Sequence, residues 1–385
     1  MSRTYSPSKS YSSGSADSEI IHFEWFRGQN LDKGRYDVRG QLGDGTFGRV
    51  LRCVDNKYKD TVAIKVIRDV PRYVENALIE AKILKRLFED SRQSNRSHRS
   101  EAIGRENVVR LFDTFFHRSK IFCLVFEPLG HSLYDLLKKN DYVGMYASDI
   151  QLIAEDCLRG LAFCHSRSLI HTDIKAENIL FVSDRSETTS APARFSKKNR
   201  AVYHRPVFHL RGAVIKLIDF GNGIFPGDRR PSVICTRQYR APEVLLEQPW
   251  DEAADVWSMA CVFAELYTGD LLFQTHEDHE HLALIEKTLK PLPQELLQST
   301  PRSVRKQLLT ESNDGSLFID FPPPDYPVDE TSVKKVRDAK SLKDIFKRHP
   351  DLGVLMGDML KLNARDRATC REALEADFFR RRVSE

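Results

Sequence analysis

The chain has 385 residues, enough at roughly 100 to 200 residues per domain for two or three lobes with sizeable cores. Its 41% hydrophobic and 30% charged residues exclude collagenous, wholly disordered and membrane-spanning classes. An excess of +4, from 59 Lys and Arg against 55 Asp and Glu, is too small to mark a nucleic-acid-binding domain by bulk charge.

No run reaches the roughly 18 apolar residues that a membrane helix needs, and the first twenty residues lack the apolar core of a signal peptide. The 7 cysteines are scattered and form no CxxC pair, so reduced thiols are expected rather than a disulfide framework or a zinc site. The protein is expected to stay inside the cell. Residues 1–19 (MSRTYSPSKSYSSGSADSE) are Ser-rich and nearly free of aliphatics, which predicts a disordered tail. Residues 20–35 follow as an N-terminal extension, and 380–385 as a short C-terminal tail.

From Tyr36, short β-branched runs broken by Gly and Asp predict antiparallel strands: YDVRGQLGDGTFGRVLRCVD, TVAIKVI, and IFCLVFE at 121–127. Residues 75–88 place Ile79, Ile83, Leu84 and Leu87 on one helical face, giving a single helix in a mostly β lobe at 36–127. Past Gly130 the period changes. Ile150, Ile153, Ala154, Cys157, Leu158, Leu161 and Cys164 recur at three and four, and residues 253–267 (AADVWSMACVFAELY) are apolar nearly all round, as in a buried central helix. A mainly helical second lobe at 130–379 follows, and the fold class is α+β.

Three polar segments, about 91–105, 183–213 and 311–341, read as inserted loops. The second sets Arg185, Arg194, Lys197, Lys198, Arg200, Arg205 and Arg211 against Asp184 and Glu187. A solvated loop and a docking surface are both open for it.

Gly43, Gly45, Gly48 and Val50 form GxGxxGxV between two strand-like runs. A dinucleotide fold opens a helix at the third glycine, whereas a β-hairpin with a bare tip lays backbone N–H groups over phosphates. The VAIK run at 62–65 projects Lys65 toward the same phosphates, with Glu80 on the following helix as the carboxylate that orients it. Residues 171–178 (HTDIKAEN) fit HxDxKxxN, and Asp219-Phe220-Gly221 follows. Phosphoryl transfer needs a carboxylate to accept the substrate hydroxyl proton, a cation near the γ-phosphate, and oxygen ligands for Mg²⁺. Asp173, Lys175, and the pair Asn178 and Asp219 supply them in that order. Farther on stand Ala241-Pro242-Glu243 and Asp255-Val256-Trp257, and Arg367 is expected to pair with Glu243.

With these motifs in this order, the sequence resembles the eukaryotic protein kinases over about residues 36–380. The resemblance implies a bilobal fold, a β-rich first lobe with one regulatory helix, and ATP with Mg²⁺ as cofactors in a cleft. Thr172 where most kinases have Arg, CTRQYRAPE at 235–243, VFEPLGHSLYDLLK at 125–138 and the insertion at 183–213, which sits where that family carries an extra hairpin, are similar to LAMMER-type (Clk-like) dual-specificity kinases of the CMGC group. Their signature EHLAMMERILGPLP stands here as EHLALIEKTLKPLP at 280–293, so a substrate rule built on the lost MMER does not carry over. Ala176 replaces the usual Pro.

The resemblance implies nucleotide contacts along Leu42, Gly43, Asp44, Gly45, Thr46, Phe47, Gly48, Arg49 and Val50, together with Lys65. It puts Phe126 at the back of an adenine pocket, backbone groups of Glu127 and Leu129 toward the purine, and Ala63 and Leu180 as roof and floor; core packing is the alternative for the four apolar residues. It also implies transfer to Ser and Thr, and to Tyr by autophosphorylation, with Arg/Ser-rich splicing factors as protein substrates. Glu177, Asp135, Glu247 and Asp251 are candidate partners for substrate Arg, or plain solvated acids. Thr172 cannot bind a phosphorylated activation loop, so activity without loop phosphorylation is expected, with a neutral packing role as the alternative.

A monomer that binds neither nucleic acid nor membrane is expected, and the resemblance implies residence in the nucleus, with a cytoplasmic pool as a further option. The competing readings are a DYRK-like CMGC kinase, a pseudokinase scaffold and an RNA-associated basic adaptor. Thr172 and the basic insertion oppose the first, intact Lys65, Glu80, Asp173, Asn178 and Asp219 the second, and the lack of RNP-type aromatics the third.

Overall fold

A computed structural model describes residues 23–89, 103–198, 202–208, 212–324 and 327–383. The expected Ser-rich tail and most of the segment at 91–105 lie outside the described residues. The chain divides into two units, residues 1–75 with 114–125, and residues 76–113 with 126–385.

The first unit is built on a sheet of order β1-β2-β3-β4-β6-β5, formed by β1 (Asn30–Leu31), β2 (Tyr36–Gly45), β3 (Gly48–Asp55), β4 (Thr61–Ile67), β5 (Leu111–His117) and β6 (Ile121–Phe126). Alternation along these strands sends Tyr36, Val38, Leu51, Cys53, Val62, Ile64, Val66, Cys123 and Val125 into one core. The strands expected from Tyr36, from Thr61 and at 121–127 are present. Edge strand β5 buries little beyond His117, so it leaves no period-two signal. Gly48 faces Ile67, and a Cβ there would lie 2.2 Å from the Val66 carbonyl oxygen, so only glycine lets β3 and β4 close at that point.

Helix α1 (Pro71–Phe88) begins in the first unit and continues in the second. Its buried arc runs through Ala77, Glu80, Ala81, Ile83, Leu84 and Leu87, and Ile79 is 47% exposed. The expected face is thus corrected: at about 100° per residue the buried arc is centred near Glu80 and Leu84, and Ile79 falls just beyond its Ile83 edge.

The second unit is helical, as expected. Helix α2 (Leu133–Lys139) opens on a reciprocal capping box between Ser132 and Asp135. Helix α3 (Ala147–Ser166) buries the predicted seam, and after α4 (Pro242–Leu245) comes α5 (Ala253–Thr268), buried at every position from 254 to 267. Gly269 ends α5 with φ +82°, and a Cβ there would lie 1.9 Å from the Tyr142 carbonyl oxygen. Helix α6 (Asp278–Thr288) carries the EHLALIEK run.

One of the expected insertions holds the extra hairpin that the resemblance implied, and another is corrected from loop to helix. Within 183–213, β8 (Ser186–Thr189) and β9 (Tyr203–Pro206), numbered after β7 (Ile179–Phe181), form a hairpin that is anchored rather than solvated. Arg205 forks onto Asp149 at 2.7 and 2.9 Å, Asn140 exchanges hydrogen bonds with the His204 backbone, and Tyr203 is fully buried. Within 311–341, helix Glu330–Asp338 buries none of its residues and is held by Lys335 on the buried carboxylate of Glu280, 2.8 Å away. With Val333 and Val336 as its only aliphatic residues, both half-buried, its apolar stripe is too short to stand out in the sequence. Among the described residues no helix is long and apolar enough to cross a membrane.

Candidate active site

In the first unit, the β2–β3 hairpin presents bare backbone. A Cβ on Gly43 would meet nothing within 4 Å, and one on Gly45 only the Gly48 oxygen at 3.8 Å. Leu42 and Phe47 are exposed beside this tip, and the Phe47 ring meets Tyr73 edge-on at 5.3 Å. In the β3–β4 register Val50 faces Lys65 and Arg52 faces Ala63, so Val50, Ala63 and Lys65 share one face of the sheet. Thr46 is exposed at the turn.

In the second unit, the loop 171–178 hangs from one buried acid. Asp255 on α5 accepts the backbone N–H groups of His171 (2.7 Å) and Thr172 (2.8 Å) and lies 3.1 Å from His165 Nε2. His171 Nδ1 accepts the Asp173 N–H at 3.3 Å, which leaves Nε2–H to donate to the Ile218 carbonyl at 2.9 Å. Thr172 holds φ +66°, costly for a β-branched residue. Its hydroxyl donates to the Asn222 carbonyl (2.8 Å), and its own carbonyl accepts the Cys235 N–H (2.9 Å). Thr172 therefore ties the segment after Asp219-Phe220-Gly221 to the segment before Ala241-Pro242-Glu243.

Asp173 is surrounded by donors. Lys175 Nζ lies 2.8 Å from Oδ2, Thr236 Oγ1 donates to Oδ1 at 2.9 Å, and Asn178 Nδ2 donates to the Asp173 backbone carbonyl at 2.9 Å. Burial by itself pushes the Asp173 carboxyl up. The Lys175 charge and hydrogen bond, with the Thr236 hydroxyl, outweigh it and hold Asp173 below the usual carboxylate range. Sequence reasoning missed Thr236 as a partner of Asp173; its place in CTRQYRAPE was the only signal.

Strand β7 pairs antiparallel with β10 (Ile215–Leu217), and the Ile218 N–H donates to the Asn178 carbonyl at 3.0 Å, so Asn178 and Asp219 flank neighbouring strand ends. Asp219 is left-handed at φ +64°, and Phe220 is fully buried with its ring 4.8 Å from His171. Asn178 and Asp219 offer an amide and a carboxylate oxygen, and among the described residues no group of three His, Cys, Asp or Glu is set to hold a metal. Such a donor set suits a hard divalent cation that takes its remaining ligands from water and phosphate.

Glu80 is buried on α1, Phe126 is buried, and Leu129 and Leu180 are half-buried. The Glu127 carboxylate is taken up by Lys216 Nζ and the Arg110 N–H, both at 2.8 Å, so a ligand is left its backbone carbonyl. Arg367 forks onto Glu243 at 2.8 and 3.0 Å with both side chains buried, as expected.

Of the acids expected near substrate, Asp135 serves the α2 capping box and Asp251 accepts the Ala253 N–H at the start of α5. Glu247 is exposed with φ +50°. Exposed Glu177 has company that the sequence did not reveal. Glu265 on α5 is 5% exposed and accepts the Tyr239 hydroxyl at 2.6 Å. Burial first, and then the charges of Glu177 and Asp270, push Glu265 up to about 7 against the pull of Tyr239.

The protein kinase domain model matches residues 36–379. The chain is 36% identical over 373 residues to serine/threonine-protein kinase AFC2 of Arabidopsis thaliana, covering 95% of this chain and 81% of that protein. It is 35% identical over 359 residues to dual specificity protein kinase lkh1 of Schizosaccharomyces pombe, covering 91% and 47%. Dual specificity protein kinase CLK2 of Mus musculus is 34% identical over 351 residues, covering 90% and 64%. A crystal structure of a kinase domain matches with TM-score 0.81 and 35% identity, over 94% of this chain and all of that one.

Proposed function

We infer that this chain, which belongs to the protein kinase family and within it to the LAMMER-type, Clk-like branch of the CMGC group, turns its dual-specificity Ser/Thr/Tyr kinase activity on Arg/Ser-rich protein segments. Protein kinases use ATP and a divalent metal; we propose Mg²⁺ here, held by Asn178 and Asp219. When bound, the cation neutralises phosphate charge.

The chain's own residues do the rest. Asp173 accepts the proton of the substrate hydroxyl, and the Thr236 hydroxyl on Oδ1 fixes the orientation of its carboxylate. Lys175 supplies positive charge for the γ-phosphate. The hairpin from Leu42 to Val50 lays N–H groups over the phosphates, and Lys65 and Glu80 keep the roles that the resemblance implies. Phe126, Ala63, Leu180 and the backbone of Glu127 and Leu129 hold the adenine.

The observation that carries the Arg preference is the exposed Glu177, which lies close enough to the buried Glu265 for their charges to interact. An arriving guanidinium meets carboxylates with which no cation pairs among the described residues, and forms charge-assisted hydrogen bonds with them. We further propose a monomeric enzyme resident in the nucleus, which size-exclusion chromatography and imaging of the tagged chain test.

The experiment is γ-phosphate transfer from Mg-ATP to an Arg/Ser-rich peptide and to a Pro-directed peptide without Arg, with Asp173→Asn beside the wild type. Transfer to the first, lost in Asp173→Asn, is the expected result. Preference for the second peptide overturns the substrate class and leaves the kinase in place.

A further inference from the structure

Residues 23–29 precede the matched kinase domain, which begins at residue 36, and no step of the reaction uses them. We propose that they form a strap that positions the phosphate-holding hairpin, with Trp25 and Arg49 as its two ties. The inference rests on that hairpin being the element that holds the ATP phosphates.

Phe23 and Trp25 pack partly buried against the core of the first unit, and the Phe23 ring stands edge-on to His117 at 6.0 Å. From this footing the strap reaches both strands of the hairpin. Trp25 Nε1 donates to Gln41 Oε1 on β2 at 2.9 Å. Arg49 on β3 donates from Nη1 to the Phe23 carbonyl at 2.9 Å and from Nε to Asp44 Oδ2 at 3.0 Å. One guanidinium thus joins strap, β3 and the tip of β2, a geometry that a fork of rigid donors allows and a lysine does not. Asp44 and Arg49 spend their charges on each other and on the strap, so Arg49 acts through the hairpin rather than on the nucleotide.

The strap grips β2 where its ladder is interrupted. The β2–β3 register shifts between Val38 and Gly40 and again between Gln41 and Gly43. At the first break Gly28 N–H donates to the Val38 carbonyl (2.8 Å) and Val38 N–H to the Gln29 carbonyl (2.9 Å), and at the second Trp25 holds Gln41. A bulged strand bends and loses ladder bonds, and glycines at the tip give it further freedom. With the strap holding Val38 and Gln41, the last paired residues before each break, the N–H groups of the tip stand ready before ATP arrives. Preorganisation of this kind lowers the cost of binding and leaves the chemical step alone.

The test uses the full chain with Trp25→Phe, which keeps a packed ring and removes the donor, and with Arg49→Lys, which keeps a cation beside Asp44 and loses the fork. Steady-state kinetics with Mg-ATP and an Arg/Ser-rich peptide separate KM for ATP, KM for peptide and kcat. Each variant is expected to raise KM for ATP about three- to tenfold, the range of one lost hydrogen bond. Both kcat and the peptide KM should stay within about twofold. The double variant should cost less than the product of the two, because both ties serve one strap. A merely structural role would lower the unfolding midpoint and the active fraction with KM for ATP unchanged, as Phe115→Ala in the same core should do. An unchanged KM for ATP in active Trp25→Phe and Arg49→Lys enzymes overturns the strap, whereas a wild type that transfers no phosphate overturns the kinase reading beneath it.

Discussion

Thr236 Oγ1 donates to Asp173 Oδ1 at 2.9 Å while accepting from Lys175 Nζ at 3.2 Å, so a hydroxyl from the segment before Ala241-Pro242-Glu243 completes the setting of the carboxylate proposed as the base. Thr236→Val keeps the shape and removes both bonds. The expected loss is roughly tenfold in kcat, the size of one charge-assisted hydrogen bond that orients a reacting group. Thr236→Ser should stay close to wild type. Equal kcat in Val and Ser variants would show that Asp173 needs no such orientation.

The lowered pKa of Asp173 fixes the acid side of the pH profile. Its carboxylate stays ionised as the pH falls through the ordinary range, so activity should persist there and fail only as the pH drops through the lowered value. The same sign applies to stability: the contribution is present above the unfolded-state pKa and is lost as the pH falls through the folded one. In Lys175→Met the opposing push from burial prevails, and the acid limb of kcat/KM should move up whatever the drop in its height. A pH–rate series on both proteins checks this.

Much of the site was legible because its chemistry sits in short spacings. HxDxKxxN places Asp173, Lys175 and Asn178 on one tight loop, and the apolar run at 253–267 marks the buried helix α5. The Arg367 pairing with Glu243 was legible through motif order. What escaped depends on long-range closure. Thr236 reaches Asp173 across 63 positions, and Glu265 owes its raised pKa to a burial that its own sequence neighbours do not encode. Arg205 looked like one charge among seven in a solvated loop, because nothing local announces that Asp149 waits for it. Ile79 misled for a simpler reason, since the buried arc of α1 runs from Ile83 through Glu80 and Leu84 to Ala81 and Ile79 falls just outside its Ile83 edge.

Thr172 makes two ties with neutral groups at the position where most kinases have an arginine. Its hydroxyl holds Asn222 and its carbonyl holds Cys235, so both ends of the intervening segment are tied without any added charge. Phosphatase-treated protein should keep most of its activity. Thr172→Val, which loses only the bond to Asn222, should lower kcat about three- to tenfold. Near-complete inactivation by phosphatase would mean that the neutral ties are insufficient.

Arg367 and Glu243 are buried together, and Arg367 also donates to the Ala253 carbonyl at 2.7 Å. Arg367→Met strands a buried carboxylate, and the expected cost is about 3–5 kcal/mol of stability. Removing the stranded charge as well, in Arg367→Met with Glu243→Met, should recover part of that loss. Denaturant titration of the three proteins measures both steps, and a double variant no more stable than Arg367→Met would place the cost in the lost backbone bond instead.

Glu265 gives the enzyme a pH dependence of the opposite sign to Asp173. Its ordinary value of 4.5 is raised to about 7 in the fold, by burial first and then by Glu177 and Asp270. The folded state therefore holds this proton more tightly than the unfolded chain. The resulting stabilisation is present in full below the unfolded-state value and is lost as the pH rises toward about 7. Glu265→Gln should flatten that part of the stability curve while keeping an acceptor for the Tyr239 hydroxyl. The same ionisation governs substrate choice if Glu265 receives a substrate guanidinium, because only the charged form attracts it. Discrimination between an Arg-flanked peptide and its Ala counterpart, taken as a ratio of kcat/KM values, should grow as the pH rises through about 7 in the wild type. In Glu265→Gln the ratio should be smaller and level across the same range. A wild-type ratio that is flat with pH would detach Glu265 from substrate recognition and leave Glu177 to carry it.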